Sequence, residues 1–151
     1  MNFKNYTIKA QEAVQEAVNL VERQGQQSIE PVHLLKAVMH TGENIMKFIF
    51  QKLGMNEQQV SQRLDQEISK QPKVQGGEPY LSREANSVLQ QAEDISKKMG
   101  DEFVSIEPIV MALLKVNSTA STILKDSENM LRLFNSIDKN IKINLIHICH
   151  S

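Results

Sequence analysis

The stretch YTIKAQEAVQEAVNLV (residues 6–21) and the stretch LSREANSVLQQAEDIS (residues 81–96) decide the fold. In the first, Ala10, Ala13, Val14, Ala17, Val18 and Val21 recur at the three-and-one spacing of an amphipathic helix. Thr7 stands where an N-cap hydroxyl can accept a free first-turn N–H, and Gly25 where a helix can leave through a left-handed residue. The second stretch repeats the first at one constant offset along the chain: Ala10 meets Ala85, Gln15 meets Gln90, Ala17 meets Ala92 and Gly25 meets Gly100. Thr7/Ser82, Val14/Leu89 and Leu20/Ile95 are conservative partners at the same offset. The register holds further on, with Ile29/Val104, Leu34/Ile109, Leu35/Val110, Ala37/Ala112, Val38/Leu113 and Met55/Met130. Turn and small residues coincide along with the apolar ones, so the match exceeds a shared helical period and indicates an internal duplication.

Outward from these stretches, a second helix opens near Glu30-Pro31, where proline costs least, and carries Val32, Leu34, Leu35 and Val38. Residues 44–53 form a third, closed by Gly54. Asn56 with Gln59 has capping-box spacing and opens a fourth, with Val60, Leu64 and Ile68 inward. The segment 71–79 (QPKVQGGEP) holds two of the four prolines and two of the six glycines, and reads as a long connection, mobile or ordered only by docking. The expectation is an all-α fold: two pseudo-symmetric four-helix repeats, residues 1–70 and 81–138, joined by a linker at 71–80 and packed as one globular domain. Leu131, Phe134 and Ile137 are candidates for the inner face of an eighth helix. Residues 139–151 form an atypical tail, expected to be disordered or irregularly packed.

Composition bounds the function. The chain has 151 residues, and 17 Lys+Arg against 18 Asp+Glu leave a net charge of -1, so the basic footprint of a nucleic-acid binder is absent. Apolar residues make up 40% of it, enough for one core. No run is long and apolar enough for a membrane span or a signal peptide, and a single cysteine, Cys149, fits a reducing compartment. A monomer in the cytoplasm is expected. There is no GxxxxGK[ST] phosphate loop, and no nucleophile–base pattern is recognisable. His147, Cys149 and His150 are the one cluster of soft ligand types, read as tail composition rather than a metal site. His33 reads as a hydrogen-bonded, partly buried histidine. Most of the methionines fall on inner faces, although such a residue would also suit the wall of an apolar groove.

The sequence resembles the double Clp N-terminal repeat domain, and most closely that of the ClpB disaggregase family. The matching elements are Tyr6-Thr7-Ile8-Lys9-Ala10, residues 27–35 (QSIEPVHLL), residues 72–77 (PKVQGG), residues 100–108 (GDEFVSIEP) and residues 118–126 (STASTILKD). The resemblance spans about residues 1–126; positions 127–151 depart from it, in a composition that suggests an altered reading frame. It implies a module without enzymatic activity, binding exposed apolar segments of unfolded or aggregated polypeptides in a shallow groove between the repeats. Its substrate-binding positions would be Thr7, Leu89, Asp101, Glu107 and Pro108. Thr7, Asp101 and Glu107 have an alternative reading as helix-terminal residues that need no ligand, with Ser105 the expected cap beside the acids. No cofactor is implied for this chain; ATP and Mg²⁺ would belong to AAA+ modules of a longer parent, which would be its other partners. A second reading is an adaptor-docking or regulatory domain, as in ClpA- and ClpC-type relatives. The phosphoarginine element of ClpC-type domains is incomplete here, because Val32 stands in place of the first-repeat carboxylate and Glu107 is followed by Pro108.

Overall fold

The computed structural model describes residues 2–126. Helix α1 (Ile8–Arg23) begins at Thr7, whose Oγ1 accepts the Ala10 N–H at 3.2 Å. Helix α5 (Arg83–Lys98) begins at Ser82, whose Oγ accepts the Ala85 N–H at 3.0 Å. Both helices have 16 residues. They also end alike. Gly25 (φ 68°) and Gly100 (φ 76°) turn left-handed, and the N–H that follows each glycine reaches back into the last turns of the helix: Gln26 to Val21 O and Asp101 to Ser96 O, each at 2.9 Å. Helices α2 (Pro31–Thr41) and α6 (Ile106–Lys115) start at the same repeat offset. Helices α3 (Glu43–Leu53) and α4 (Glu57–Ser69) complete the first repeat, Gly54 closing α3 at φ 65° and the Asn56 side chain accepting the Gln58 and Gln59 N–H groups. Helix α7 (Thr119–Lys125) ends the described part of the second. The expected eighth helix and the tail lie outside the described residues.

Two helices are apolar almost all round and are therefore buried. In α2, Val32, Leu34, Leu35, Ala37 and Val38 are all covered; in α6, Ile106, Ile109, Val110, Ala112 and Leu113 are. Helix α1 packs on α2 and α5 on α6, the small Ala10, Ala13 and Ala17 letting α1 approach closely. Helix α2 also touches α4, α5, α6 and α7, so the repeats share one core.

A feature the helical periodicity did not show locks the repeats together. Strands β1 (Ser28–Ile29) and β2 (Tyr80–Leu81) pair in parallel, with Ile29 opposite Leu81. Tyr6 and Val104 form an isolated parallel bridge, which is this same pairing with each partner replaced by its image in the other repeat. The hydrogen bonds repeat as well: Thr7 N–H to Val104 O at 2.9 Å, and Ser82 N–H to Ile29 O at 3.0 Å. The segment entering each repeat's first helix thus pairs with the segment leaving the other repeat's first helix. The connection is ordered by docking: the Val74 N–H donates to Gly25 O at 3.0 Å, Lys73 bridges Gln26 in antiparallel sense, and the Gln27 amide donates to Glu78 O at 3.2 Å.

Candidate functional site

The Tyr6–Val104 bridge makes the seam between the repeats. Strand alternation turns Tyr6 and Val104 inward and leaves Asn5, Thr7, Phe103 and Ser105 outward. Burial agrees: Tyr6 and Val104 are covered, Asn5 and Phe103 exposed, Thr7 and Ser105 intermediate. Beneath the seam the Tyr6 hydroxyl donates across to the Glu93 carboxylate at 3.2 Å. Burial, with Glu93's negative charge, pushes the Tyr6 phenol far above its ordinary pKa, so it stays a donor at any ordinary pH. The image of this pair at the other seam is Leu81 and Val18, so the tie exists on one side only.

Apolar surface gathers here. Ile8, the first residue of α1, is 76% exposed, and Phe103 is 46% exposed. A groove of about 770 Å³ runs from Ile8 along α1, with Phe3, Val14 and Val18 as apolar lining and Lys4 and Glu12 among its polar residues; its lining comes from the first repeat alone, not from between the repeats as expected. Its openness to solvent suits a segment laid across it rather than an enclosed small molecule.

The residues expected to bind substrate fall into two sets. Thr7, at the seam, and Asp101, in the turn that leaves α5, are partly exposed, Thr7 also serving as the α1 cap. Leu89, Glu107 and Pro108 are covered: Leu89 is 3% and Glu107 5% exposed. The apolar area expected of Leu89 is thus corrected: α5 lies on α6, and Leu89 belongs to the core, one turn along α5 from Glu93. Ser105 occupies the N-cap position of α6, but its hydroxyl caps no backbone N–H; it donates to the Glu107 carboxylate at 2.7 Å. Pro108 sits in the first turn of α6, where a missing N–H costs nothing.

Ile8 and Phe103 were missed. Ile8 lies about 200° around the helix from Ala10, off the apolar stripe, and Phe103 sits in a connection without a period. Their images, Arg83 and Ser28, are polar, and that divergence between the copies was the available signal.

His33 is fully buried rather than partly so, held by Glu30 N–H and Gln26. Met39 and Met46 are core residues, and Met55, Met99 and Met111 pack against it partly buried. Among the described residues no group of three His, Cys, Asp or Glu side chains is arranged to hold a metal, and no helix is long and apolar enough to cross a membrane. His147, Cys149 and His150 lie outside the described residues.

The fold defines a class: a duplicated helical domain, interlocked by exchanged strands, with exposed apolar residues on its first helix and beside its strand pairings. The family model for the Clp repeat (R) N-terminal domain matches residues 5–127, and the chain belongs to that family. It is 67% identical over 127 residues to the chaperone protein ClpB of Bacteroides thetaiotaomicron, and 51% identical over 142 residues to that of Porphyromonas gingivalis. These matches cover 84% and 94% of the chain but only 15% and 16% of the relatives' length. In fold it is similar to the Hsp104 N-terminal domain of Candida albicans, with a TM-score of 0.74 at 22% identity, covering 82% of this chain and 81% of that one. A ClpV N-domain in complex with a VipB peptide has the same fold, with a TM-score of 0.67 at 17% identity over 87% of this chain and 83% of that one. The matched segment is the N-terminal domain of ClpB-type chaperones, not an ATPase module.

Proposed function

We propose that this domain captures exposed apolar segments of unfolded or aggregated polypeptides and presents them to the AAA+ modules of a cytoplasmic ClpB-type disaggregase. The observation that supports this reading is the exposure of Ile8 and Phe103 on the two segments that the Tyr6–Val104 bridge joins, with the groove along α1 starting at Ile8. Thr7 and Asp101 form the rim; Leu89, Glu107 and Pro108 act as the packed floor, Glu107 through Ser105. The functional unit is the pair of repeats, 1–70 and 81–138 about the connection 71–80, working as a monomer. A shallow surface with two apolar anchors implies weak capture, about micromolar or weaker.

Burying either anchor contributes about 1–2 kcal/mol, so Ile8→Ser and Phe103→Ser should each weaken binding about tenfold. Both positions are exposed, so both variants should keep the wild-type melting curve. A fluorescence titration against a labelled unfolded protein reads this directly. Two folded variants that bind like wild type would remove the seam assignment.

A second reading is docking of one dedicated adaptor; the ClpV N-domain of similar fold is seen with one defined peptide, that of VipB. Salt separates the two: capture by Ile8 and Phe103 persists in about 0.5 M salt, whereas docking led by Asp101 and Glu102 fades.

A further inference from the structure

The exchanged strands place every pairing of the seam between halves that only the 71–80 segment connects. Nothing in Ile29–Leu81 or Tyr6–Val104 requires both partners to belong to one chain. What brings them together in one chain is a reversal. Lys73 runs antiparallel to Gln26, yet Tyr80 runs parallel to Ser28 just beyond it. The strand 26–29 continues in one direction, so the chain must turn back between 74 and 79.

Gly76 (φ 73°) and Gly77 (φ 119°) make that turn, in the backbone region that side chains disfavour. A Cβ on Gly77 would also strike the Gln27 amide that holds Glu78 O. The turn is otherwise free of structural duty: residues 75–78 are exposed, and a Cβ on Gly76 would meet nothing.

We infer that the Gly76–Gly77 reversal decides whether the repeats close on each other or on a second copy of this chain, and that a chain denied the reversal forms a reciprocal dimer. In that dimer, repeat one of each copy pairs with repeat two of the other. Every buried contact of the monomer is remade, and only the turn changes.

The test is deletion of residues 75–78 from the full chain, with mass measured by light scattering after size exclusion. The remaining links (Val74, Pro79, Tyr80) leave no room for the turn, so closure within one chain would have to release the Val74–Gly25 hydrogen bond, which exchange between two copies keeps. The expected result is twice the monomer mass, with wild-type helical content, at concentrations where the parent chain is monomeric. A folded, monomeric deletion variant overturns the inference. If the deletion variant does not fold, a full chain carrying a protease site inserted between Gly76 and Gly77 decides. After cleavage the two pieces should co-elute one to one, and differently labelled cleaved samples should exchange pieces after brief exposure to mild denaturant. Pieces that part on cleavage, or never exchange, overturn it.

Discussion

Acidification should destabilise this domain through His33. Its ring is 0% exposed. Nδ1 accepts the Glu30 N–H at 2.9 Å, so the proton of the neutral ring is on Nε2, which donates to Gln26 Oε1 at 2.8 Å. The Gln26 amide then donates to Ile68 O at 2.6 Å, tying α2, the exit of α1 and the end of α4 together. Burial is the larger influence, set against a smaller opposing one from the Glu30 backbone, and it lowers the His33 pKa from 6.5 to about 4. The unfolded chain binds this proton first, so the stability is complete above pH 6.5 and drains away as the pH falls toward 4. A gap of that size is worth about 3 kcal/mol in full, and about 2 kcal/mol is already lost at pH 5. Urea unfolding at pH 7.5 and pH 5.0 measures it. Other groups titrate over the same range, and His33→Gln provides the subtraction: Gln can accept the Glu30 N–H and still donate to Gln26, but does not ionise. Wild type should lose about 2 kcal/mol more than His33→Gln between the two pH values. Equal losses in both proteins, or an NMR titration of the His33 ring with a midpoint above pH 6, would refute the reasoning.

Leu35, fully buried in the helix that touches both repeats, should cost about 2–5 kcal/mol when cut to Ala, read as a fall in melting temperature without a change of helical content at room temperature. Thr7→Ala and Ser82→Ala remove caps of the same geometry, so each should cost about 1 kcal/mol in chemical denaturation, and losses differing by several-fold would contradict the equivalence of α1 and α5. Gly42→Ala should destabilise by about 1 kcal/mol, because its Cβ would come 3.2 Å from Val38 O and 3.3 Å from Ile106 Cγ2, where α2 turns into α3 against α6.

The first repeat's helices were legible because they are announced locally, and the second repeat's followed through the repeat offset; the Ser118 cap of α7 was not read. Thr7, Ser82 and Asn56 do cap, Gly25, Gly54 and Gly100 do turn left-handed, and Pro31 does open α2. The repeat offset carried from residues to hydrogen bonds. The strand exchange was not legible, since a strand as short as Ser28–Ile29 has no period and its partner, Tyr80–Leu81, lies far along the chain in the other repeat. Leu89 was misjudged for a related reason. Its place on the α5 stripe was clear, but whether a stripe edge faces a neighbour or water depends on how α5 meets α6, which spacing along one helix does not encode. Ser105 had the residue type of a cap, but Glu107 two positions on offered its hydroxyl a charged acceptor instead.

Duplication alone would give two equivalent seams, yet their exposed apolar residues differ: Ile8 and Phe103 at the first, and Tyr80, with Val74 in the adjoining connection, at the second. Ile8 and Phe103 at the first correspond to Arg83 and Ser28 at the second, and the groove residues Phe3 and Val18 correspond to Glu78 and Glu93. Ile8, Phe103 and Arg83 are exposed and Ser28 is half-buried, so packing constrains three of these four positions little, and there the difference is one of surface chemistry. If the anchor pair is what holds a polypeptide, the double variant Ser28→Phe, Arg83→Ile should acquire a second site. Calorimetric titration with an apolar peptide would then show stoichiometry rising from one to two per chain, with the two affinities within about tenfold. A folded variant that still binds one peptide would shift the affinity from the pair to the groove. The first seam would then owe its capture to Phe3 and Val18, whose counterparts at the second seam, Glu78 and Glu93, are acidic.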